Sequence, residues 1–307
     1  MHTTKITVIL TVLNEEKTIL KLLDALFQQT YKIEKIIITD GGSIDSTENL
    51  VHQFRINNVN PEIEFIKVLG NRSVGRNVAI LNATTQLIAV TDAGCIPHQN
   101  WLEELFKKYE KESVVAGYYD AVAKTGFEQA VVPYVLVMPD KVNPKTFLPA
   151  TRSLLIEKET WQKVGKFNEA LKWNEDYEFA QRLLRFKVSI RFAENAKVTW
   201  IPRSTLIEFW SMIWNFAKGD VEAKIWRKKV ILIFTRYFFG SVLLVVFFLL
   251  GYWKSTFLLF TFFLTIYCIW AYYKNQKYLS KGKLWLPVLQ ITSDLAVMGG
   301  SLAGLMN

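Results

Sequence analysis

Four places in the chain put acidic side chains where they can do chemistry. "NEE" (14–16) follows the apolar run "KITVILTVL" (5–13), Asp40 closes "EKIIITD" and opens "GGS", Asp92 closes "LIAVTD" and opens "AGC", and "NED" (174–176) starts the helical stretch "EDYEFAQRLLR". Two acids and a glycine-rich turn at one edge suit a nucleotide and a cation, with carboxylates accepting hydroxyls. A carboxylate at a helix N-terminus is held ionised by the aligned backbone dipoles, as a base requires. Asn14, Ser43 and Asp45 are equally well explained as helix caps or turn residues. Capping does not account for Asp40 and Asp92, each of which ends a buried run.

These residues need a scaffold, and the spacing of apolar residues supplies one. The run 5–13 is continuous and β-branched, as a strand buried on both faces must be. Residues 15–29 then place Ile19, Leu22, Leu23, Leu26 and Phe27 on one helical face. The alternation continues through "EKIIITD", "STENLVHQFR", "EIEFIKV", "VGRNVAILNAT", "LIAVTD" and "NWLEELFKKYEK" (100–111). Strand alternating with helix predicts an α/β fold: a doubly wound, mostly parallel, Rossmann-like sheet that binds ligands beyond the carboxyl ends of its strands. The chain has no G-x-x-x-x-G-K-[ST], and "DGGSIDST" is not G-x-G-x-x-G, which sets kinase and dehydrogenase readings aside.

The last third of the chain is different. Of the 307 residues 50% are hydrophobic, and the excess is concentrated in Tyr237–Trp253 and Ser255–Tyr273, which carry no charge, and in Leu284–Met306, whose one charge is Asp294. Each is long enough to cross a bilayer core, which takes about 20 helical residues. Residues 1–202 hold 25 basic and 24 acidic side chains, so nearly all of the net charge of +9 lies beyond them. Lys224, Arg227, Lys228 and Lys229 precede the first apolar segment; Lys274, Lys277, Lys281 and Lys283 join the second to the third. By the positive-inside rule both clusters are cytoplasmic, which with three crossings puts the C-terminus outside. The start "MHTTK" runs straight into the first strand with no signal peptide, so the catalytic part is expected on the cytoplasmic face of an integral membrane protein. The basic balance reads as contact with anionic membrane lipids, not nucleic acid. Cys95 and Cys268 have no metal-site spacing and are not expected to pair.

"VILTVLNEEKTI", "DGGSIDST", "GRNVAILNATTQLIAVTDAGCIP" and "NEDYEFAQRLLRF", in this order, resemble the inverting family 2 glycosyltransferases of the GT-A fold over about residues 5–200. The resemblance implies three regions: a GT-A domain over 1–203, amphipathic interfacial helices over 204–229 and three transmembrane helices over 230–307. It implies that Thr11, Leu13 and Glu15 line the base and ribose of a nucleotide-sugar donor and that Asp40 contacts the base. Arg76 of "GRN" would lie near the donor, Asp92 matches the first acid of the D-x-D motif and a metal ligand, and Asp176 matches the catalytic base, with Glu175 as the alternative. The implied activity is hexosyl transfer from a nucleotide-diphosphate sugar, a UDP-sugar, to a membrane-associated, lipid-linked glycan acceptor, as in the synthesis of cell-envelope polysaccharide. Displacing a nucleoside diphosphate with inversion needs a base on the acceptor hydroxyl and positive charge on the leaving group. Mg²⁺ or Mn²⁺ would supply the second.

The chain departs from the family pattern at Gly94, where the second acid of D-x-D is missing. Asp92 alone with diphosphate and water, a ligand from Cys95, or replacement of the metal by Arg76 and Arg72 are the three ways to make up for it. A soft thiolate suits Mg²⁺ poorly, so Cys95 reads better as a packed residue and His98 as a loop residue. "STLIEFWSMIWNFAKGD" (204–220) has Met212 and Asn215 where processive synthases carry the Gln and Arg of Q-x-x-R-W. Its aromatic surface still reads as a helix at headgroup level. Asp294 invites a lipid-phosphate role, or helix contact through Gly299, Gly300 and Gly304. Two other functions compete: a polyprenyl-phosphate glycosyltransferase, which would carry G-K-G-x-A where this chain has "GRNVAI", and a non-catalytic membrane scaffold.

Overall fold

A computed structural model describes residues 4–306, so the first three residues, on which the signal-peptide reading partly rests, lie outside it. The chain forms two compact units: Met1–Val122 with Met138–Ile201, and Ala123–Val137 with Pro202–Asn307.

The first unit is built on one sheet. Strands β1 (Ile6–Val12), β2 (Lys35–Asp40), β3 (Glu62–Lys67), β4 (Leu87–Val90), β5 (Cys95–Pro97), β6 (Ser113–Ala121), β7 (Leu154–Glu157) and β8 (Ser189–Trp200) run in the order β3-β2-β1-β4-β7-β6-β8-β5. The first four are mutually parallel, as the continuous apolar sequences of β1, β2 and β4 predict. β7 is antiparallel to both β4 and β6, and β5 is antiparallel to β8, so the second half of the sheet is mixed. Among its helices, α1 (Ile19–Phe27) packs on α2 (Thr47–Asn57), and just past the end of α1 Gln29 Oε1 accepts from the Leu102 N–H of α4 (Trp101–Lys108) at 3.0 Å. Helices α3 (Arg72–Asn82), α6 (Lys158–Lys163) and α7 (Glu175–Arg185) share a core in which Ala79, Ile80, Trp161, Phe179 and Leu183 pack on Ile9, Ile37, Ile88 and Ile156. Gly75 sets how near α3 comes to the sheet: a Cβ there would lie 2.7 Å from the Thr11 methyl and 2.8 Å from Thr39 Oγ1.

The second unit is helical: α5 (Gly126–Val135), α8 (Leu206–Glu222), α9 (Lys228–Leu249), α10 (Trp253–Asn275) and α11 (Trp285–Leu305). Helices α9, α11 and the stretch Trp253–Tyr278 that contains α10 are long and apolar enough to cross a membrane. They are not alike. α9 buries none of its residues and α10 only Ala271 and Asn275, whereas α11 buries eight, Asp294 among them. α8 opens with a reciprocal capping box between Thr205 and Glu208 and buries Phe209, Ile213 and Ala217. It packs along α11 through the small residues expected to make helix contact: a Cβ at Gly300 would lie 2.3 Å from the Trp214 carbonyl oxygen. Asp294 has an ionic partner as well, Arg236 Nη2 at 2.6 Å, and accepts from the hydroxyls of Tyr237 and Tyr267 and the Gln290 amide.

Candidate active site

The parallel register brings the sequence-predicted acids to one edge. Val12 is level with Asp40 and Ile9 with Val90, so the turns after β1, β2 and β4 open on the same side of the sheet. The first two are tied together. Asp40, 1% exposed, accepts from the Ser43 N–H at 3.0 Å and the Ser43 hydroxyl at 2.6 Å; Ser43 Oγ in turn accepts from the Asn14 N–H at 2.8 Å. The Asn14 side chain takes the Ile44 N–H, and Asp45 takes the N–H groups of Glu16 and Thr47. Asn14, Ser43 and Asp45 thus do form turns, and the turns present half-buried Thr11 and Glu15 and 55%-exposed Leu13 beside Asp40.

The third edge is organised by Arg76. It enters from the first turns of α3, only 1% exposed, and donates from Nη1 to Glu175 Oε1 at 2.6 Å and from Nη2 to Asp92 Oδ1 at 2.8 Å. The planar guanidinium serves as a bracket between the end of β4 and the start of α7. Glu175 is buried with it; Asp176, the next residue, is half-buried and its carboxylate accepts the Tyr177 N–H at 2.8 Å. The two acids of "NED" are therefore unequal. Glu175 is locked in an ion pair with Arg76, while Asp176 forms no ion pair among the described residues. Asn174 takes a left-handed conformation (φ 57°) and makes no side-chain cap to α7, unlike the plain helix start its sequence suggests.

Electrostatics separates the carboxylates further. Burial pushes the Asp92 carboxyl up, but Arg76, Arg72 and Arg152 together outweigh it and hold Asp92 below the usual aspartate range. Burial and then the charge of Glu175 push Asp176 above it, and Arg76 and Arg152 offset this only in part. The helix N-terminus expected to keep Asp176 ionised is overridden. The result is a stronger base at residue 176, next to a carboxylate that Arg76 holds in an ion pair.

Arg152 is a site residue that the sequence reading missed. Its backbone oxygen accepts from the Thr91 hydroxyl at 3.0 Å, and its guanidinium lies 5.7 Å from the ring centres of both Tyr119 and Trp200. Arg72 stands over Trp173 at 5.5 Å.

The family description "Glycosyl transferase family 2" matches residues 7–181, a stretch that holds every acid of this site. The chain belongs to that family. A glycosyltransferase of Haloferax volcanii, AglE, is 35% identical over 100 residues, which is 32% of this chain and 33% of that relative's length. Among solved structures, a mannosyltransferase of Pyrobaculum calidifontis in complex with GDP-mannose and Mn²⁺ aligns over 98% of this chain and 74% of its own, at 14% identity and a TM-score of 0.56. GalNAc-T7 with UDP, GalNAc and Mn²⁺ covers 71% of this chain and 48% of its own, at 15% identity and a TM-score of 0.53. The fold is accordingly GT-A, and the chain spans only a third of the length of the curated relative, AglE.

Gly94 is the position where this family 2 chain departs from D-x-D, and neither strain nor crowding demands glycine there: its φ is ordinary and a Cβ would meet nothing within 4 Å. Among the described residues no three His, Cys, Asp or Glu side chains are grouped to hold a metal. Asp92 Oδ1 is taken by Arg76 and Oδ2 lies 3.5 Å from the Thr151 hydroxyl, so the protein offers a cation one carboxylate oxygen. Such a site fits Mg²⁺ or Mn²⁺ when a diphosphate brings further oxygens. Cys95 is 1% exposed and its thiol is pushed up to about 12 by burial and by Asp92, so it stays protonated and packed. Both cysteines are free. His98 pairs with Thr199 and Asp120.

Proposed function

We propose that the chain is a membrane-anchored inverting glycosyltransferase that moves one sugar from a UDP-sugar to a lipid-linked glycan acceptor at the cytoplasmic face of the membrane. The observation that carries the reading is the division of labour at residues 175 and 176: one acid is neutralised by Arg76, the other is left raised and accessible. Asp176 takes the proton from the acceptor hydroxyl as its oxygen bonds to the anomeric carbon and the bond to the diphosphate breaks on the opposite face. Glu175 and Arg76 position it. Thr11, Leu13, Glu15 and Asp40 hold the nucleoside. Asp92 Oδ2 would hold a divalent cation, which supplies positive charge to the leaving diphosphate; Mn²⁺ accompanies GDP-mannose in one of the two solved structures and UDP with GalNAc in the other. Arg72 and Arg152 add fixed positive charge at the same edge and make up in part for the acid missing at Gly94.

Two observations favour an acceptor at the membrane. α9 and α10 are lined with exposed Phe, Leu and Trp side chains that only lipid would cover, and basic clusters flank their 228 and 275 ends, as they do on cytoplasmic loops. The test is release of nucleoside diphosphate by the detergent-solubilised protein from UDP-, GDP- and dTDP-sugars, with a native lipid extract, with Mn²⁺ or with EDTA. Release from a UDP-sugar that depends on the lipid extract is expected. No release from any donor would refute the enzyme reading.

A further inference from the structure

By length and composition α11 is a third membrane span, but its contacts do not let it stand beside α9 and α10. These two form an antiparallel hairpin through Gly251, with Leu244 and Phe248 lining one hollow with Trp253, Phe257 and Phe260. Two tethers fix α11 against the open end of this hairpin. On the α10 side, Lys274 Nζ donates to Gln290 Oε1 at 2.8 Å and the Tyr267 hydroxyl donates to Asp294. On the α9 side, Arg236 Nη2 donates to Asp294 at 2.6 Å. Arg227, just before α9, grips Asp220 of α8 at 2.6 and 2.8 Å, and the next residue, Val221, lies against Gly304 at the end of α11.

Neither axis-parallel arrangement satisfies both tethers. If α11 ran parallel to α9 with Asp294 level with Arg236, then Arg227 would lie about 14 Å below that level and Gly304 about 15 Å above it, at 1.5 Å of rise per residue. The Arg227–Asp220 pair and the Val221–Gly304 contact close that gap to a few side-chain lengths. If α11 ran antiparallel to α9, and so parallel to α10, Lys274 would be level with residue 301, about 16 Å from the Gln290 it bonds. What remains is a transverse crossing: the start of α11 adjoins the end of α10, its end adjoins the start of α9, and Asp294 lies where it passes the hairpin.

We infer that α11, with α8 alongside, lies in the membrane plane at headgroup depth instead of spanning, so that the bilayer is crossed twice and residue 306 is on the same side as Lys224. This rests on the reading that α9 and α10 cross the bilayer. It accounts for the ionic Arg236–Asp294 pair, since both charges then reach the interface and the arginine and tyrosines extend toward it from the hairpin. It also accounts for the exposed face of α11: Val288, Leu295 and Leu302, spaced by seven, form one apolar stripe 40–51% exposed, as expected of a helix floating on the acyl boundary.

Nitroxide depth measurements test this in a Cys95→Ser, Cys268→Ser background reconstituted in phosphatidylcholine–phosphatidylglycerol vesicles. Labels at Val288→Cys, Leu295→Cys and Leu302→Cys are expected at one shallow depth. Labels at Leu232→Cys, Phe239→Cys and Val246→Cys, equally spaced and exposed on α9, are expected to grade through the bilayer over about 21 Å. Impermeant thiol reagents should reach Met306→Cys from the same side as Lys224→Cys and from the side opposite Lys254→Cys. If the 288–302 series grades like the α9 series, or Met306→Cys labels with Lys254→Cys, the in-plane placement is refuted. A flat α9 series would instead refute the crossing hairpin, and with it the anchor of the proposed function.

Discussion

Arg76 is the residue whose removal tests the site most severely. Its guanidinium is 1% exposed and makes two charge-assisted hydrogen bonds, at 2.6 and 2.8 Å, to carboxylates on different elements. In Arg76→Met the side-chain volume is nearly kept, but Glu175 is left charged and 4% exposed with no counter-ion. Breaking a buried pair from one side costs about 3–5 kcal/mol. For a unit of this size that corresponds to a melting shift of about 6–20 °C. Arg76→Lys keeps the charge but cannot fork to both carboxylates, so an intermediate loss is expected. The double variant Arg76→Met, Glu175→Leu removes the stranded charge and should recover more than half of the loss. The assay is thermal unfolding in detergent followed by near-UV circular dichroism. Arg76→Met melting within 2 °C of the parent, or a double variant no more stable than the single one, would refute the bracket.

Asp176→Asn keeps shape and removes the proposed base; turnover should fall by about 10²–10⁴-fold while UDP-sugar binding, read by calorimetry, stays within threefold, and retained turnover would move the base elsewhere. Because Asp176 must be ionised to act and its pKa is raised, the acid limb of kcat/KM should lie above the ordinary aspartate value of 3.8, with activity gained as pH rises through it. Glu175→Gln takes away the nearest charge that raises it, so the limb should move to lower pH; movement upward would contradict the coupling. Gly94→Asp enters open space and restores the second acid, so Mn²⁺ binding in the presence of UDP, read by electron paramagnetic resonance, should tighten by about tenfold (about 1.4 kcal/mol), and unchanged binding would place residue 94 outside the cation's reach.

The first half of the sheet was legible because its physics is local. Strands β1, β2 and β4 are unbroken apolar runs, and in a parallel sheet each run ends at the same edge, so an acid after a strand is an acid in the site: Asp40 and Asp92 were found this way. The rule fails where the sheet turns antiparallel. β7 runs against β4 with Leu154 level with Val90, so the residue that reaches the binding edge lies before the strand, not after it. Arg152, one residue past the "PAT" turn and two before the apolar "LLIE", was readable only by someone who already knew the direction of β7. Burial was equally hidden. "GRN" gave no sign that Arg76 would be swallowed as a bracket, because its two partners lie 16 and 99 residues away and the pairing is made by the fold.

The same distinction explains the membrane part. Window hydropathy registers how apolar a helix is and nothing of its direction, so α9, α10 and α11 looked alike. What sets α11 apart is a handful of polar and small residues: Gln290 and Asp294 bind partners on α10 and α9, and Gly299, Gly300 and Gly304 admit α8. An acid in a segment that stands upright in lipid would need burial at depth, at about 2.5–3.5 kcal/mol on insertion scales. Placed mid-helix with its partners at the base of a hairpin, the same acid orients the helix across the hairpin. Asp294, for which the sequence offered a lipid-phosphate role or helix contact, accepts from Arg236, Tyr237 and Tyr267 at Oδ2 and from Gln290 at Oδ1. With Oδ2 taken by three donors on α9 and α10, the carboxylate serves helix pairing, the role that the neighbouring Gly299, Gly300 and Gly304 also fit.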